Sequence, residues 1–248
     1  LWTIHFMRIC IANLLLFISL YMLFPIVPIE MADRLGVPVS MTGAMFLLLT
    51  VGMYVIGPFH AYLVDAYKRK YICAFSFAVM LAATAGYAFV NDLTQLSLLC
   101  LVQGIAFGMA TTAGITLAID ITNSNLRSLG NVAFSWAARL GMLVGIASGV
   151  WLYQSYPFKT LLYVSVVVGL FGILSVLRVY VPFRAPMVTK LCSFDRFFLP
   201  RGWLPAINLI MIAFIPGLML PVFHYSLSMV YIGELEIPFF AIVGIGFL

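Results

Sequence analysis

Long runs of apolar residues dominate this 248-residue chain, and short polar or charged segments separate them. A run of about 18 or more apolar residues can cross the hydrocarbon core of a bilayer as a helix. The pattern predicts six such helices, then a longer polar connector, a seventh helix and the first part of an eighth. The predicted ranges are 6–29, 40–64, 71–90, 93–119, 130–153, 158–177 and 203–230, and the last run begins at Ile237. A charged loop over 30–37 is predicted between the first two helices.

The composition is that of a membrane protein. Hydrophobic residues make up 64% of the chain and charged residues 8%, whereas a soluble domain carries about 25% charged residues. The ~10-residue alternating segments of a membrane β-barrel do not occur in the sequence. The predicted fold class is therefore all-α and polytopic, in a lipid bilayer, and the net charge of +5 does not indicate a nucleic-acid partner. The four cysteines lack the spacing of a disulfide framework or a metal site, so neither a metal nor a cofactor is expected.

The distribution of lysine and arginine predicts the orientation. With Arg8 and the basic triplet 68–70 in the cytoplasm, ten basic residues fall inside and only Arg34 and Lys159 fall outside. Such an excess is typical of cytoplasmic loops, so the N-terminus is expected there too.

The same pattern divides the chain into three parts. They are a six-helix N-terminal bundle at 1–181, a basic cytoplasmic linker at 182–202 and the start of a C-terminal bundle at 203–248. The last run stops within an apolar stretch, and we expect the chain to be part of a longer protein. Paired six-helix halves are a recurrent plan among transporters.

The segment 57–70 holds three basic residues side by side, with one carboxylate just before them. Its part 61–70, AYLVDAYKRK, resembles the loop 2–3 signature of the major facilitator superfamily, Gly-x-Leu-x-Asp-Arg-x-Gly-Arg-Arg/Lys. The leucine, the aspartate and the final basic pair match. Ala61 and Lys68 stand where the signature has glycines, and Ala66 stands where it has an arginine.

Three other stretches are similar to the same superfamily. They are Gln103-Gly104 with Gly108 in the fourth predicted helix, the glycines of the fifth predicted helix, and residues 21–28. The last stretch leads into the second predicted helix and is similar to the same region of efflux-type members. Cys100 stands where the fourth-helix pattern has an arginine. The resemblance implies a twelve-helix secondary transporter that moves a small-molecule substrate by alternating access.

The resemblance also implies finer properties of the transporter. We expect a monomer in the bacterial inner membrane, a proton as the coupling ion, and efflux in preference to uptake. The alternative is an uptake permease for sugars or organic anions.

A charge network on the cytoplasmic side is the main predicted site. Asp65 and Arg69 lie four residues apart and can face each other, and Asp120 ends the fourth predicted helix on the same side. The resemblance implies that the arginine reaches Asp120 and that the aspartate reaches the second half, with Lys70 in the same network. The alternative is that the basic residues only enforce the orientation.

Arg139 is the strongest candidate for substrate binding. Nine residues separate it from Gly130, which at 1.5 Å per residue places it ~14 Å deep. An arginine at that depth is costly unless it faces water, an acid or a substrate, so it is predicted to contact an anionic or hydroxyl-rich substrate. The alternative is a structural arginine that snorkels to the cytoplasmic side or pairs with Asp120. The other candidates for the cavity are Asn13, Tyr21, Gln103 and Trp136, although interhelical hydrogen bonding explains Asn and Gln equally well.

Five glycines are predicted to allow close helix packing. Gly141, Gly145 and Gly149 form one smooth stripe at four-residue spacing, and Gly104 and Gly108 are interpreted in the same way.

Other classes of protein are disfavoured. The histidines are isolated, and those at positions 60 and 224 are interpreted as structural. A membrane-embedded enzyme would need a catalytic group such as a deep pair of acids. The first six predicted helices hold no such pair, so catalysis is not expected. The seventh predicted helix lacks the lysine of a retinal-binding receptor.

Overall fold

The computed structural model describes residues 1–181 and 191–192, except for the side chains of residues 39–40 and 43–46. Within this part the chain forms helices and no strand. The helices are α1 (Ile4–Leu23), α2 (Val27–Leu35), α3 (Val39–Val55), α4 (His60–Ala66), α5 (Arg69–Gly86), α6 (Leu93–Asp120), α7 (Arg127–Ser155) and α8 (Phe158–Leu177). Short 3₁₀ segments occur at Gly57–Phe59, Tyr87–Phe89 and Ser124–Leu126. The predicted linker, the seventh and eighth helices and His224 lie outside the described residues.

Six helical spans in the described part are long and apolar enough to cross a membrane, which confirms the predicted all-α fold class. They are Ile4–Leu35, Leu47–Ala66, Arg69–Phe89, Leu93–Asp120, Ser124–Ser155 and Phe158–Leu177. The helices α6 and α8 begin at the predicted residues. Helix α6 starts there because the Asp92 carboxylate accepts a hydrogen bond from the backbone N–H of Gln95 at 2.7 Å, as an N-cap residue does.

The predicted end of the first helix is wrong. Helix α1 ends at Leu23, and α2 runs through a segment that was predicted as a loop over 30–37. Pro28 lies in the first turn of α2, where a helix does not use the N–H that proline lacks. Gly36 ends α2 with a φ of 65°, the left-handed conformation of a C-terminal glycine cap.

The second predicted helix is not continuous. Helix α3 ends at Val55, the 3₁₀ segment Gly57–Phe59 follows, and α4 starts at His60. Pro58 has no N–H to donate to the preceding turn, and its ring disfavours an uninterrupted α-helix. We call Gly57–Phe59 the break of the second span.

Helix α1 lies against α7 and α8, and α6 lies between α3 and α5. The glycines of α7 explain the first contact. A Cβ atom built on Gly141 would lie 2.6 Å from the carbonyl oxygen of Leu14, and one on Gly145 would lie 2.9 Å from that of Ile18. A Cβ on Gly149 would meet the backbone of α1 one turn further on. The two backbones therefore touch along three turns, as small residues allow in membranes.

The contact between α3 and α6 is equally close. A Cβ atom on Gly104 would lie 2.7 Å from the carbonyl carbon of Leu49, and one on Gly108 would lie 3.1 Å from the Cα of Met53. In return, a Cβ on Gly52 of α3 would lie 2.5 Å from the carbonyl oxygen of Leu101. This contact fixes α3, and with it the start of the break, against α6.

Candidate functional site

Three helix ends meet at one side of the bundle and bring together the residues that we call the Arg69 cluster, namely Asp65, Arg69 and Asp120. Asp65 is in the last turn of α4, Arg69 is the first residue of α5 and Asp120 is the last residue of α6. Arg69 Nη1 donates to both carboxylate oxygens of Asp120 at 2.8 and 2.7 Å. Its Nη2 donates to Asp65 Oδ1 at 3.0 Å, and its Nε donates to the carbonyl of Val64 at 3.1 Å.

The cluster is largely withdrawn from solvent. The exposed fractions of the side chains are 12% for Arg69, 8% for Asp65 and 18% for Asp120. Hydrogen bonds to ionised groups are about twice as strong as those between neutral groups. Removing one partner of a buried ion pair is costly, at about 3–5 kcal/mol, since it leaves the other charge uncompensated. The cluster therefore holds the ends of α4, α5 and α6 together.

Lys70, predicted in the same network, contacts a different element. Its Nζ donates to the backbone carbonyl of residue 179 at 2.9 Å. Arg8 Nη1 donates to the carbonyl of residue 178 at 2.8 Å, and the N–H of residue 180 donates to His5 Nδ1 at 3.2 Å. Cations at a helix C-terminus satisfy carbonyls that lack a partner within the helix. Lys70 and Arg8 thus anchor the chain where it leaves α8.

Asn13 and Gln103, two of the predicted cavity residues, form interhelical hydrogen bonds instead. Asn13 is 4% exposed, and its Nδ2 donates to the backbone carbonyl of Phe134 in α7 at 2.9 Å. Gln103 is 1% exposed; its Oε1 accepts from the hydroxyl of Tyr87 at 2.5 Å, and its Nε2 donates to Thr84 Oγ1 at 3.0 Å. These contacts favour the structural alternative for both residues.

Tyr21, a third candidate, belongs to a row of aromatic rings. Its ring stacks on Phe17 with a centroid distance of 5.8 Å and on Phe24 with a distance of 5.4 Å. Phe17 in turn meets Phe107 of α6 edge to face at 5.2 Å. The sequence interpretation missed Phe17 and Phe24, although their spacing of four and three residues from Tyr21 places all three on one face of α1.

Arg139 and Trp136 are neighbours on the exposed surface of α7. The Arg139 guanidinium lies 5.9 Å from the centre of the Trp136 ring, which is within the range of a cation–π interaction. Trp136 is 50% exposed. Helix α7 starts three residues before its predicted start, so Arg139 lies ~18 Å from that end rather than ~14 Å.

His60 was interpreted as structural, but the structure gives it an unusual environment. It is the first residue of α4, directly after the break. Its Nδ1 lies 3.2 Å from Thr112 Oγ1 of α6, whereas its buried Nε2 has no hydrogen-bond partner among the described residues. The available sequence signal was an ionisable residue two positions after a proline within an apolar span.

Comparisons with known proteins place these residues in a family context. The family model described as Major Facilitator Superfamily matches residues 9–248, a range that contains the Arg69 cluster, the break, the aromatic row and Arg139. A comparison with curated protein sequences gave no match.

Proposed function

This chain belongs to the major facilitator superfamily of secondary transporters, and we propose that it exports a small solute by alternating access in exchange for protons. The Arg69 cluster is the observation that carries this proposal. It is a set of ionised hydrogen bonds placed where three helices end, and a transporter must alternately form and break such contacts to open one side.

The geometry of the cluster suits a latch. The segment from the break to Ala66 is only a short helix, and Asp65 near its end is tied to α5 and α6 through one guanidinium. Breaking the contacts of Arg69 would remove the ionised hydrogen bonds that join α4 to α5 and α6 without disturbing the glycine contacts of α3 with α6. The proposed mechanism therefore makes α4 the moving part and Arg69 the residue that holds it.

The proposed solute carries an aromatic or apolar face. The row of Phe17, Tyr21 and Phe24 on α1 offers aromatic surface against which such a face can pack. Arg139 beside Trp136 would add a cationic contact.

The cationic contact is also what favours the second candidate function, uptake of a sugar or an organic anion. An exposed cation next to an exposed indole ring suits a substrate with hydroxyl or carboxylate groups.

The proposed location is a bacterial inner membrane with the N-terminus in the cytoplasm. The contacts of Arg8, Lys70 and Arg69 gather their charges at one end of the bundle, which supports the orientation derived from the basic residues. We propose that the protein acts as a monomer.

The test compares Arg69→Ala with Lys68→Ala in the full-length protein. Both variants remove one positive charge from the same loop, but Lys68 is exposed and its Nζ lies 6.0 Å from the centre of the Tyr71 ring. Cells that produce equal amounts of each protein in the membrane are compared by untargeted mass spectrometry of intracellular and extracellular solutes. We expect one solute or a small group to be depleted inside cells with the native protein and with Lys68→Ala, and retained with Arg69→Ala.

Each of the other results has a defined meaning. Equal loss with both variants would favour the purely topological role of the basic loop. Accumulation of a solute inside the cells would support the uptake permease, and identical solute pools with the native protein and Arg69→Ala would contradict transport through this latch. The identified solute is then loaded into proteoliposomes, where an imposed pH gradient tests whether its flux follows protons.

A further inference from the structure

His60 lies deep in the apolar part of the described helices. It contacts Thr112, which precedes Asp120 by eight residues, so the imidazole lies ~12 Å along α6 from the Arg69 cluster. Ionisable residues within membrane spans are rare and mark ion pathways and proton relays. Interrupted helices likewise accompany ion and substrate sites in transporters, and His60 directly follows the break.

The hydrogen bonds of the imidazole are incomplete in either neutral form. If Nδ1–H donates to Thr112 Oγ1, the lone pair of Nε2 has no donor. If the threonine hydroxyl donates instead, Nε2–H has no acceptor. A buried polar atom without a partner is destabilising, and a histidine with a purely structural role would be expected to engage both nitrogens. The described residues thus leave the Nε2 lone pair open to a proton, and the resulting Nε2–H open to a water molecule.

Among the described residues, no other histidine lies at that depth near His60, and histidine is the side chain whose ordinary pKa is closest to neutrality. Helix α4 packs against α5, α6 and the break, and the charged residues of these elements lie at their ends. Helix α6 holds no charged residue before Asp120, and α5 holds none after its second residue. The charged and titratable residues of these elements are Asp65, Arg69, Lys70 and Asp120 with Tyr62, Tyr71, Cys73 and Cys100.

We propose that Nε2 of His60 is the site that binds the coupling proton, and that its protonation is linked to opening of the Arg69 cluster through the break. This proposal rests on the proposed function as a proton-coupled transporter. A proton from water adds to the lone pair of Nε2 and converts imidazole to imidazolium. Nδ1–H then donates to Thr112, while Nε2–H requires an acceptor that the described residues do not provide.

The link follows from the position of His60 on α4. Water can supply the missing acceptor once the first turn of α4 shifts enough to admit it beside Nε2. The break provides the pivot, because 3₁₀ segments within a span often mark hinges. Asp65 lies on the same short helix, so this movement draws it away from Arg69. Protonation and latch opening therefore favour each other, as linked equilibria must.

The test follows His60 directly by nuclear magnetic resonance of the full-length protein in lipid bilayers, with histidine labelled by ¹⁵N. The His60 signals are assigned by their loss in His60→Gln, and spectra are recorded between about pH 5 and 8, the range in which histidine changes charge. In the latch variant Asp65→Asn, we expect the ratio of protonated to neutral His60 at a fixed pH to rise at least fivefold, the lower end of typical coupling between sites. Asp120→Asn serves as a second latch variant should Asp65→Asn fail to fold.

His5, near the surface and outside the proposed site, is the internal control. Its ratio of protonated to neutral form should be the same in the latch variants as in the native protein. The proposal would be overturned if His60 stayed neutral throughout, or if its ratio in the latch variants matched that of the native protein. These spectra need no solute, so they are independent of the mass-spectrometry comparison. If the native protein exported no solute while His60 responded as expected, the proposed transport would be refuted. If the native protein exported the solute normally while the protonation of His60 did not respond, the coupling proton would bind elsewhere.

Discussion

Substituting alanine for Gly104 should destabilise the protein, whereas the same substitution at Gly114 on the same helix should not. The added Cβ at Gly104 would contact the Leu49 carbonyl oxygen and lie 2.7 and 2.9 Å from its carbonyl carbon and Cα. All three are backbone atoms that cannot rotate away. At Gly114 the nearest atom is Cζ of the Phe134 ring at 3.2 Å, and a ring can tilt by a few tenths of an ångström.

The expected magnitude combines two opposing effects. Alanine in a helix interior is favoured over glycine by about 1 kcal/mol. Overpacking costs about 1–3 kcal/mol, and the rigid backbone of α3 places Gly104→Ala at the upper end. The net change in the free energy of unfolding should therefore be a loss of about 1–2 kcal/mol for Gly104→Ala and a gain of up to about 1 kcal/mol for Gly114→Ala. A change of 1 kcal/mol shifts Tm by about 2–4 °C in domains of about 150–250 residues.

A thiol-reactive dye measures this difference in detergent solution. Cys73 and Cys100 are buried, so the dye reports unfolding as heating exposes them. We expect the Tm of Gly104→Ala to fall about 2–8 °C below that of the native protein, and that of Gly114→Ala to equal or exceed it. Equal Tm values for the two variants would refute the reasoning that backbone contact, rather than glycine itself, sets the requirement at Gly104.

Three further predictions concern other contacts. Gln103→Leu should lower thermal stability by more than Tyr87→Phe, because it leaves the buried hydroxyls of Tyr87 and Thr84 without their amide partner. Equal losses of Tm in the two variants would contradict a bridging role of Gln103. Lys70→Ala should accelerate limited proteolysis after α8 severalfold, since its hydrogen bond anchors that exit, and an unchanged cleavage rate would count against the anchor. Ser19→Ala and Ser165→Ala should be non-additive, with the double variant costing less than the sum, because each hydroxyl donates to the other residue's carbonyl; strict additivity in thermal unfolding would exclude the coupling.

The apolar pattern alone predicted the spans but not their interruptions. Helix α8 could be placed at both ends because a proline and an arginine flank a run whose only charged residue, Lys159, lies at its start. The break could not, since Pro58 lies inside a run that has the length of one span, and a proline may either end or kink a membrane helix. The helical residues 30–35 were assigned to a loop because their charges outweighed the amphipathic pattern of a short helix.

The candidate site was predictable only where spacing limits the geometry. Asp65 and Arg69 lie only four residues apart, and this short separation keeps them within reach of each other although they belong to two different helices. The family resemblance suggested Asp120. Lys70 follows Arg69 directly, so on a helix its side chain points about 100° away, which explains why it reaches the end of α8 instead. For Asn13 and Gln103 the sequence identifies a polar side chain but not the helix that faces it. The facing helix decides whether the side chain lines a cavity or forms an interhelical hydrogen bond.

The glycine contacts of α7 limit which movements the bundle can make. Backbone-to-backbone contacts at Gly141, Gly145 and Gly149 recur once per turn, so α1 and α7 fit each other only in discrete registers. A slide of less than one turn, ~5.4 Å, would drive the glycine faces against side chains. The contacts therefore oppose gradual shear between these helices and favour movement of α1 and α7 together.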